Sequence, residues 1–106
     1  EKLVVAVGLM EANIKEPITQ EDLVSYVGLS RRQLQRLFQR FLYCTPSRYY
    51  LQIRLRRARE FLRQTSMNLV EISASPGFVS SSHFSKSYKE YFGHSPSNER
   101  RQDMPD

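Results

Sequence analysis

The sequence predicts an all-α protein of about seven helices, built as two similar halves joined by one long helix. Three observations carry this. Apolar residues recur at spacings of three and four along most of the 106 residues, which is the period of one helix face. Capping residues stand before the periodic stretches, and the glycines and prolines fall mostly between them. The same order of elements occurs twice, and no pair of alternating β-branched runs flanks a hairpin signal.

Leu3, Val7, Met10 and Ile14 follow at spacings of 4, 3 and 4, predicting a first amphipathic helix over about 2–13. Val4-Val5-Ala6-Val7 would also suit a strand in isolation, and Pro17 ends the region. Thr19 offers an N-cap hydroxyl, with Asp22 near the positive end of the helix dipole. A short helix over about 20–26 then stops at Gly28, the residue best able to take a left-handed turn. Ser30-Arg31-Arg32-Gln33 is a capping box, opening a helix with Leu34, Leu37, Phe38 and Phe41 on one face.

Thr45-Pro46 starts the long helix, because proline at the first helical position gives up no needed N–H. Leu51, Leu55, Ala58 and Leu62 mark its apolar face to about residue 63, a length of roughly 27 Å. Asn68-Leu69-Val70-Glu71 is a second capping box, opening a short helix that meets Pro76-Gly77. Ser80 caps the next helix, whose apolar face is Phe84, Tyr88, Tyr91 and Phe92 and whose end is Gly93. Ser95-Pro96 begins a last, short helix.

Charge narrows the function. The formal net charge is +5, but residues 31–63 hold ten arginines (31, 32, 36, 40, 48, 54, 56, 57, 59, 63) against Glu60 alone, a balance of +9. Residues 1–30 sum to −3 and residues 64–106 to −1. A basic middle on a mildly acidic chain is an electrostatic footprint for a polyanion. On composition alone, a solvated basic surface and an anionic membrane stay open.

Other classes find little support. Cys44 is the single cysteine, so no internal disulfide forms, and with only His83 and His94 the usual tetrahedral zinc sites are excluded. No metal or cofactor is expected. No apolar run approaches the roughly 20 residues of a membrane span, and residues 3–10 lack the flanks of a signal peptide. Ser80-Ser81-Ser82-His83 sets hydroxyls beside an imidazole, but neighbours on a helix point apart. No carboxylate is placed to orient that ring, so no enzyme is expected; His83 packs or faces the polyanion. Cys44 reads as a structural thiol. Tyr43, Tyr49, Tyr50, Tyr88 and Tyr91 read as core more than as stacking platforms for single strands. Glu1 in place of a methionine reads as the start of a piece cut from a longer protein.

The repeat is the most informative feature. Gly28-Leu29 pairs with Gly77-Phe78 at an offset of 49, while Leu34, Phe38, Phe41, Leu42 and Thr45-Pro46 pair with Phe84, Tyr88, Tyr91, Phe92 and Ser95-Pro96 at 50. Each unit is a short helix, a tight turn and a second helix opened by a capping hydroxyl, the sequence shape of a helix-turn-helix. The second helices present Arg31, Arg32, Gln35 and Arg36 in one unit and Ser81, Ser82, Ser85 and Lys86 in the other. The major groove of B-DNA admits an α-helix; Arg chelates guanine and Gln chelates adenine there. Arg32, Gln35 and Arg36 share one stripe at i, i+3 and i+4. A helical hairpin kept soluble by that stripe, or one that docks on a protein, is the competing reading.

These residues resemble the DNA-binding domain of the AraC/XylS family of bacterial transcriptional regulators, from about residue 15 to 100. The matching motif is Ile72-Ser73, Gly77-Phe78, Ser82-His83-Phe84-Ser85-Lys86, Tyr88-Lys89, Phe92-Gly93, Ser95-Pro96 and Arg100. Upstream, Gly28-Leu29-Ser30, Leu34-Gln35-Arg36-Leu37-Phe38, Pro46, Arg54-Leu55 and Ala58 match the first half. Met10-Glu11-Ala12-Asn13-Ile14 and Ser47-Arg48-Tyr49-Tyr50-Leu51 resemble the subgroup whose effector domain is similar to a glutamine amidotransferase. Three places depart from the family pattern. Ser73 and Pro76 stand where small apolar residues are common, and Pro76 could shorten its helix. Tyr43 stands where glycine is usual, so a left-handed cap there would be strained. Glu99 stands where an aromatic residue normally precedes Arg100, which puts the packing of the last helix in question.

The resemblance implies two homeodomain-like helix-turn-helix subdomains, 1–45 and 65–106, joined by a linker helix over 46–64. It implies recognition helices over about 31–42 and 81–92 in successive major grooves of double-stranded promoter DNA. The base-contacting positions carry over to Arg32, Gln35, Arg36, Ser81, Ser82, Ser85 and Lys86. Phosphate contacts are expected from Arg31, Arg40 and Arg48, and from backbone N–H groups at helix starts. Arg54, Arg57, Arg59 and Arg63 stay open between phosphate contact and a solvated helix face. RNA polymerase is an implied partner, the location is the cytoplasm, and no membrane is involved. A small-molecule effector would act only through a domain absent from this chain, and the subgroup suggests control of amino-acid or amine catabolism.

Overall fold

The computed structural model describes residues 1–74, 78 and 80–103. Among the described residues there are seven helices and no strand: α1 (Lys2–Ala12), α2 (Gln20–Val27), α3 (Arg31–Leu42), α4 (Pro46–Gln64), α5 (Leu69–Ala74), α6 (Ser81–Phe92) and α7 (Pro96–Asp103). The Gly77 turn and any effect of Pro76 lie outside the described residues.

Most helix starts are set by side chains a few residues away. Thr19 accepts from the Asp22 N–H at 3.1 Å, and Ser30 and Gln33 exchange both bonds of the capping box, at 2.9 and 3.1 Å. Thr45, Asn68, Ser80 and Ser95 accept from the N–H groups of Arg48, Glu71, His83 and Asn98. Each bond satisfies a donor that the first helical turn leaves open. α2 and α6 end on Gly28 and Gly93 in the left-handed region. α3 ends the same way on Tyr43, at φ 57° and ψ 29°, where a Cβ makes that conformation cost about 1–2 kcal/mol.

The chain forms two compact units, 1–53 and 54–106, whose boundary falls inside α4. In the first, Ala6, Met10, Leu23, Val27, Leu34 and Phe38 build a core with Tyr50 and Ile53 from the first half of α4. Phe38 meets Tyr49 edge-on, ring centroids 5.7 Å apart. The Tyr50 hydroxyl donates to the Asn13 carbonyl and accepts from the Ile18 N–H at 3.0 Å, tying the α1–α2 connection to α4. Two expectations fail here: Tyr43, read as core, is 82% exposed at the end of α3, and Phe41 leaves the apolar face. Phe41 is 53% exposed and lies under the Arg40 guanidinium, 5.3 Å from its ring centre. The buried row of α3 runs Leu34, Phe38 and half-buried Leu42, and that step of four leaves Phe41 one residue to the side.

In the second unit, the second half of α4 takes the place that α1 holds in the first. Leu55, Ala58, Leu62, Ile72, Phe78, Phe84 and Tyr88 are buried. Arg100 donates to the Leu62 and Thr65 carbonyls at 3.3 and 3.1 Å. It ties the α4–α5 connection as Tyr50, at the matching position of the repeat, ties α1 to α2.

The question raised by Glu99 has a clear answer: the carboxylate is fully buried and fully engaged. It accepts from the Tyr88 hydroxyl at 2.8 Å, from His94 Nε2 at 2.7 Å and from Arg63 Nη2 at 2.8 Å, with Arg59 Nε at 3.2 Å. Burial alone pushes this carboxyl up, but the hydrogen bonds from His94, Tyr88 and Arg63 and the Arg59 charge reverse it, holding it down at about 2. Burial, then the hydrogen bond to Glu99 and its charge, push the Tyr88 phenol far up, so it stays a donor. The last helix is packed by charge pairing, not by an aromatic ring.

The linker arginines are sorted the same way. The Arg54 guanidinium lies 5.3 Å from the Phe78 ring centre and that of Arg59 4.9 Å from Phe92. Arg56 donates to the Tyr91 hydroxyl at 2.9 and 3.1 Å, and Arg57 pairs with Glu60 at 3.6 Å. Arg54, Arg59 and Arg63 therefore pack within the unit and are not a freely solvated face.

Candidate nucleic-acid interface

Each unit holds its second helix by one face and exposes the other. In α3, Leu34 and Phe38 are closed to solvent, and Arg31, Arg32, Gln35, Arg36 and Arg40 are exposed. This follows from the sequence: apolar residues four apart bury one row, half-buried Leu37 flanks it, and the opposite side carries long polar side chains. The capping box consumes the Gln33 side chain at the helix start, so Gln33 serves the fold while its neighbours stay available. Beside Arg36 and Arg40, a shallow cleft is floored by Leu29 and Leu37.

In α6, Phe84, Ser87 and Tyr88 are buried. Ser81, Ser82 and Lys86 are exposed, and Ser85 is half-buried at the edge of the stripe. The Ser81 hydroxyl lies 3.5 Å from that of Ser73, which is itself buried and donates to the Val70 carbonyl. Ser81 therefore leans toward α5, apart from the Ser82 and Lys86 row. His83 is exposed, its ring 5.9 Å from Phe78; its backbone N–H, not its ring, bonds Ser80, so the hydroxyl-imidazole pairing of a nucleophilic site is not formed.

Two exposed residues extend these stripes by one turn. Gln39 follows Gln35 by four on α3, and Lys89 follows Lys86 by three on α6. Helical spacing alone was enough to include them. Arg48 is exposed on the first turn of α4, next to the start capped by Thr45.

The donor chemistry of the two faces differs. α3 offers guanidinium forks and a carboxamide, groups that pair with base edges in two places at once. α6 offers short hydroxyls and two ammonium groups, suited to single contacts, water bridges and phosphates. Among the described residues, no group of three His, Cys, Asp or Glu side chains could hold a metal ion, and no helix is long and apolar enough to cross a membrane.

Residues 23–102 match the family described as helix-turn-helix domain. The HTH-type transcriptional regulator GbdR of Pseudomonas aeruginosa is 58% identical over 100 residues, covering 94% of this chain and 27% of that protein. The HTH-type transcriptional regulator ArgR of the same species is 50% identical over 101 residues, 95% of this chain and 31% of that protein. The chain thus spans less than a third of the length of these curated relatives. A crystal structure of a transcriptional regulator from Chromobacterium violaceum, described as AraC-type DNA-binding domain-containing, aligns with TM-score 0.94 and 51% identity over 97% of this chain and 92% of that one. The DNA-binding domain of AdpA, solved in complex with a target DNA, has the same fold at 22% identity and TM-score 0.88, over 96% of this chain and 92% of that one. With half or more of its residues shared with named regulators along nearly its whole length, the chain belongs to the AraC-type helix-turn-helix family, as the DNA-binding domain of a transcriptional regulator and not an enzyme.

Proposed function

We propose that the chain reads an asymmetric duplex site through two unlike surfaces, α3 and α6, set in successive major grooves about 34 Å apart. Arg32, Gln35 and Arg36 contact bases from α3; Ser81, Ser82, Ser85 and Lys86 do so from α6. Arg31, Arg40 and Arg48 hold phosphates. The observation that carries this reading is the division of α3: Leu34 and Phe38 are sealed in the core while Arg32, Gln35 and Arg36 all stand in solvent. Because bidentate donors discriminate bases more strongly than single hydroxyls, α3 supplies most of the specificity.

In the whole regulator, effector sensing belongs to a domain outside this chain, one similar to a glutamine amidotransferase on the evidence of residues 10–14 and 47–51. The protein works in the cytoplasm, touches RNA polymerase, and controls amino-acid or quaternary-amine catabolic genes. Selection of sites from random duplexes, followed by base substitution in each half-site, tests the central claim. Losses are expected to be about 1–3 kcal/mol per base in the α3 half and smaller in the α6 half. Equal losses in both halves overturn the asymmetry; no enrichment of any sequence overturns the reading itself.

A further inference from the structure

The two repeats end their second helices alike in backbone and unlike in side chain. α6 closes on Gly93 at φ 86°, while α3 closes on Tyr43 at φ 57°. A Cβ at Gly93 would meet nothing within 4 Å, so glycine stands there for its backbone freedom and not for want of room. The left-handed region disfavours any residue with a Cβ, and tyrosine is among the bulky ones for which it is unusual. Tyr43 is also 82% exposed, so no burial in this unit offsets the strain. A strained residue that the core does not hold in place points to a contact outside the chain.

The surroundings define the partner's chemistry. Tyr43 lies three residues after exposed Arg40 and five before exposed Arg48, within the segment of +9 balance. Arg40 covers the neighbouring exposed ring of Phe41. A phenol in an arginine-rich, exposed stretch of chain is a hydrogen-bond donor in a positive field, complementary to a phosphodiester oxygen.

We propose that Tyr43 is a DNA-backbone contact of the first unit, its hydroxyl donating to a phosphodiester oxygen next to the one held by Arg48. The contact rests on the duplex-binding reading given above. It gives the first unit a backbone anchor that the second, with Gly93, lacks. Being neutral, the phenol releases no counterion, so it raises affinity without changing the salt dependence.

The test uses the 106-residue chain with Tyr43→Gly, Tyr43→Phe, Arg48→Gln and Arg36→Ala, on a site-selected duplex and a scrambled duplex of the same length. Tyr43→Gly is expected to melt higher than the parent and yet bind both duplexes roughly three- to ten-fold more weakly, with an unchanged salt slope. Tyr43→Phe is expected to reproduce the binding loss without the gain in melting temperature. Unchanged affinity in Tyr43→Gly or Tyr43→Phe overturns the contact, and so does a loss confined to the selected duplex, which would mean base reading. Failure of the duplex-binding reading shows itself separately: Arg36→Ala and Arg48→Gln would then leave both duplexes unaffected.

Discussion

Tyr88 donates its hydroxyl to Glu99 across 2.8 Å, and neither side chain reaches solvent. At the matching positions of the first repeat stand Phe38 and Tyr49, set edge-on. One unit closes its helices with an apolar ring contact and the other with a charge-assisted hydrogen bond. A buried carboxylate costs several kcal/mol in desolvation unless it is paired, and Arg59, Arg63 and His94 supply the pairing. Two helices and a turn thus converge on one side chain of α7, which holds α6 at a fixed register against α4.

Removing the carboxylate strands its partners. Glu99→Ala is expected to cost about 2–3 kcal/mol, at or below the roughly 3–5 kcal/mol of a fully buried broken pair, because Arg59 and Arg63 are 35% and 39% exposed and can rehydrate. Glu99→Gln, which keeps the shape and one acceptor, is expected to cost about half as much. Urea unfolding of both variants checks the order; a Gln variant as stable as the parent would argue for packing over charge.

Acid should expose the same group. The folded carboxyl titrates at about 2 against an ordinary 4.5, so its contribution is fully present above pH 4.5 and fades as pH falls toward 2. Melting temperatures of the parent and Glu99→Gln are expected to converge over that window and to stay separated by a constant amount from pH 5 to 7.

At Gly93 an added Cβ would meet nothing within 4 Å, so only φ matters. Gly93→Ala is expected to destabilise by about 1 kcal/mol, read as a fall of about 4–8 °C in melting temperature. A neutral result would show that the α6 end relaxes to another turn.

Salt titration separates the arginines by role. Arg31→Gln and Arg48→Gln are each expected to lower the salt slope of DNA binding by about 0.9 with little change in melting. Arg59→Gln and Arg63→Gln are expected to do the reverse, because their guanidinium groups are committed to Glu99. A slope change in Arg63→Gln equal to that of Arg48→Gln would contradict this division.

The Tyr50 hydroxyl serves two backbone groups at once. Tyr50→Phe leaves the Ile18 N–H and the Asn13 carbonyl without it and is expected to cost about 1–2 kcal/mol, with faster amide exchange at Ile18 as the local signature.

Helix bounds and caps were legible in the sequence because each depends on residues at most four apart. The repeat was legible because those local signals recur in the same order at an offset of 49–50. Thr19, Ser30, Thr45, Asn68, Ser80 and Ser95 all cap as their spacing predicts, and the exposed stripes of α3 and α6 follow from the same local period. Tertiary structure alone decided which arginines are spent inside the second unit, why Phe41 stands outside the core, and how a carboxylate packs the last helix. Arg63 and Glu99 are 36 residues apart, as are no two residues of a cap. Whether a charged side chain is solvated or paired depends on what the fold brings beside it, and the free energy of burying a charge changes sign with that neighbour.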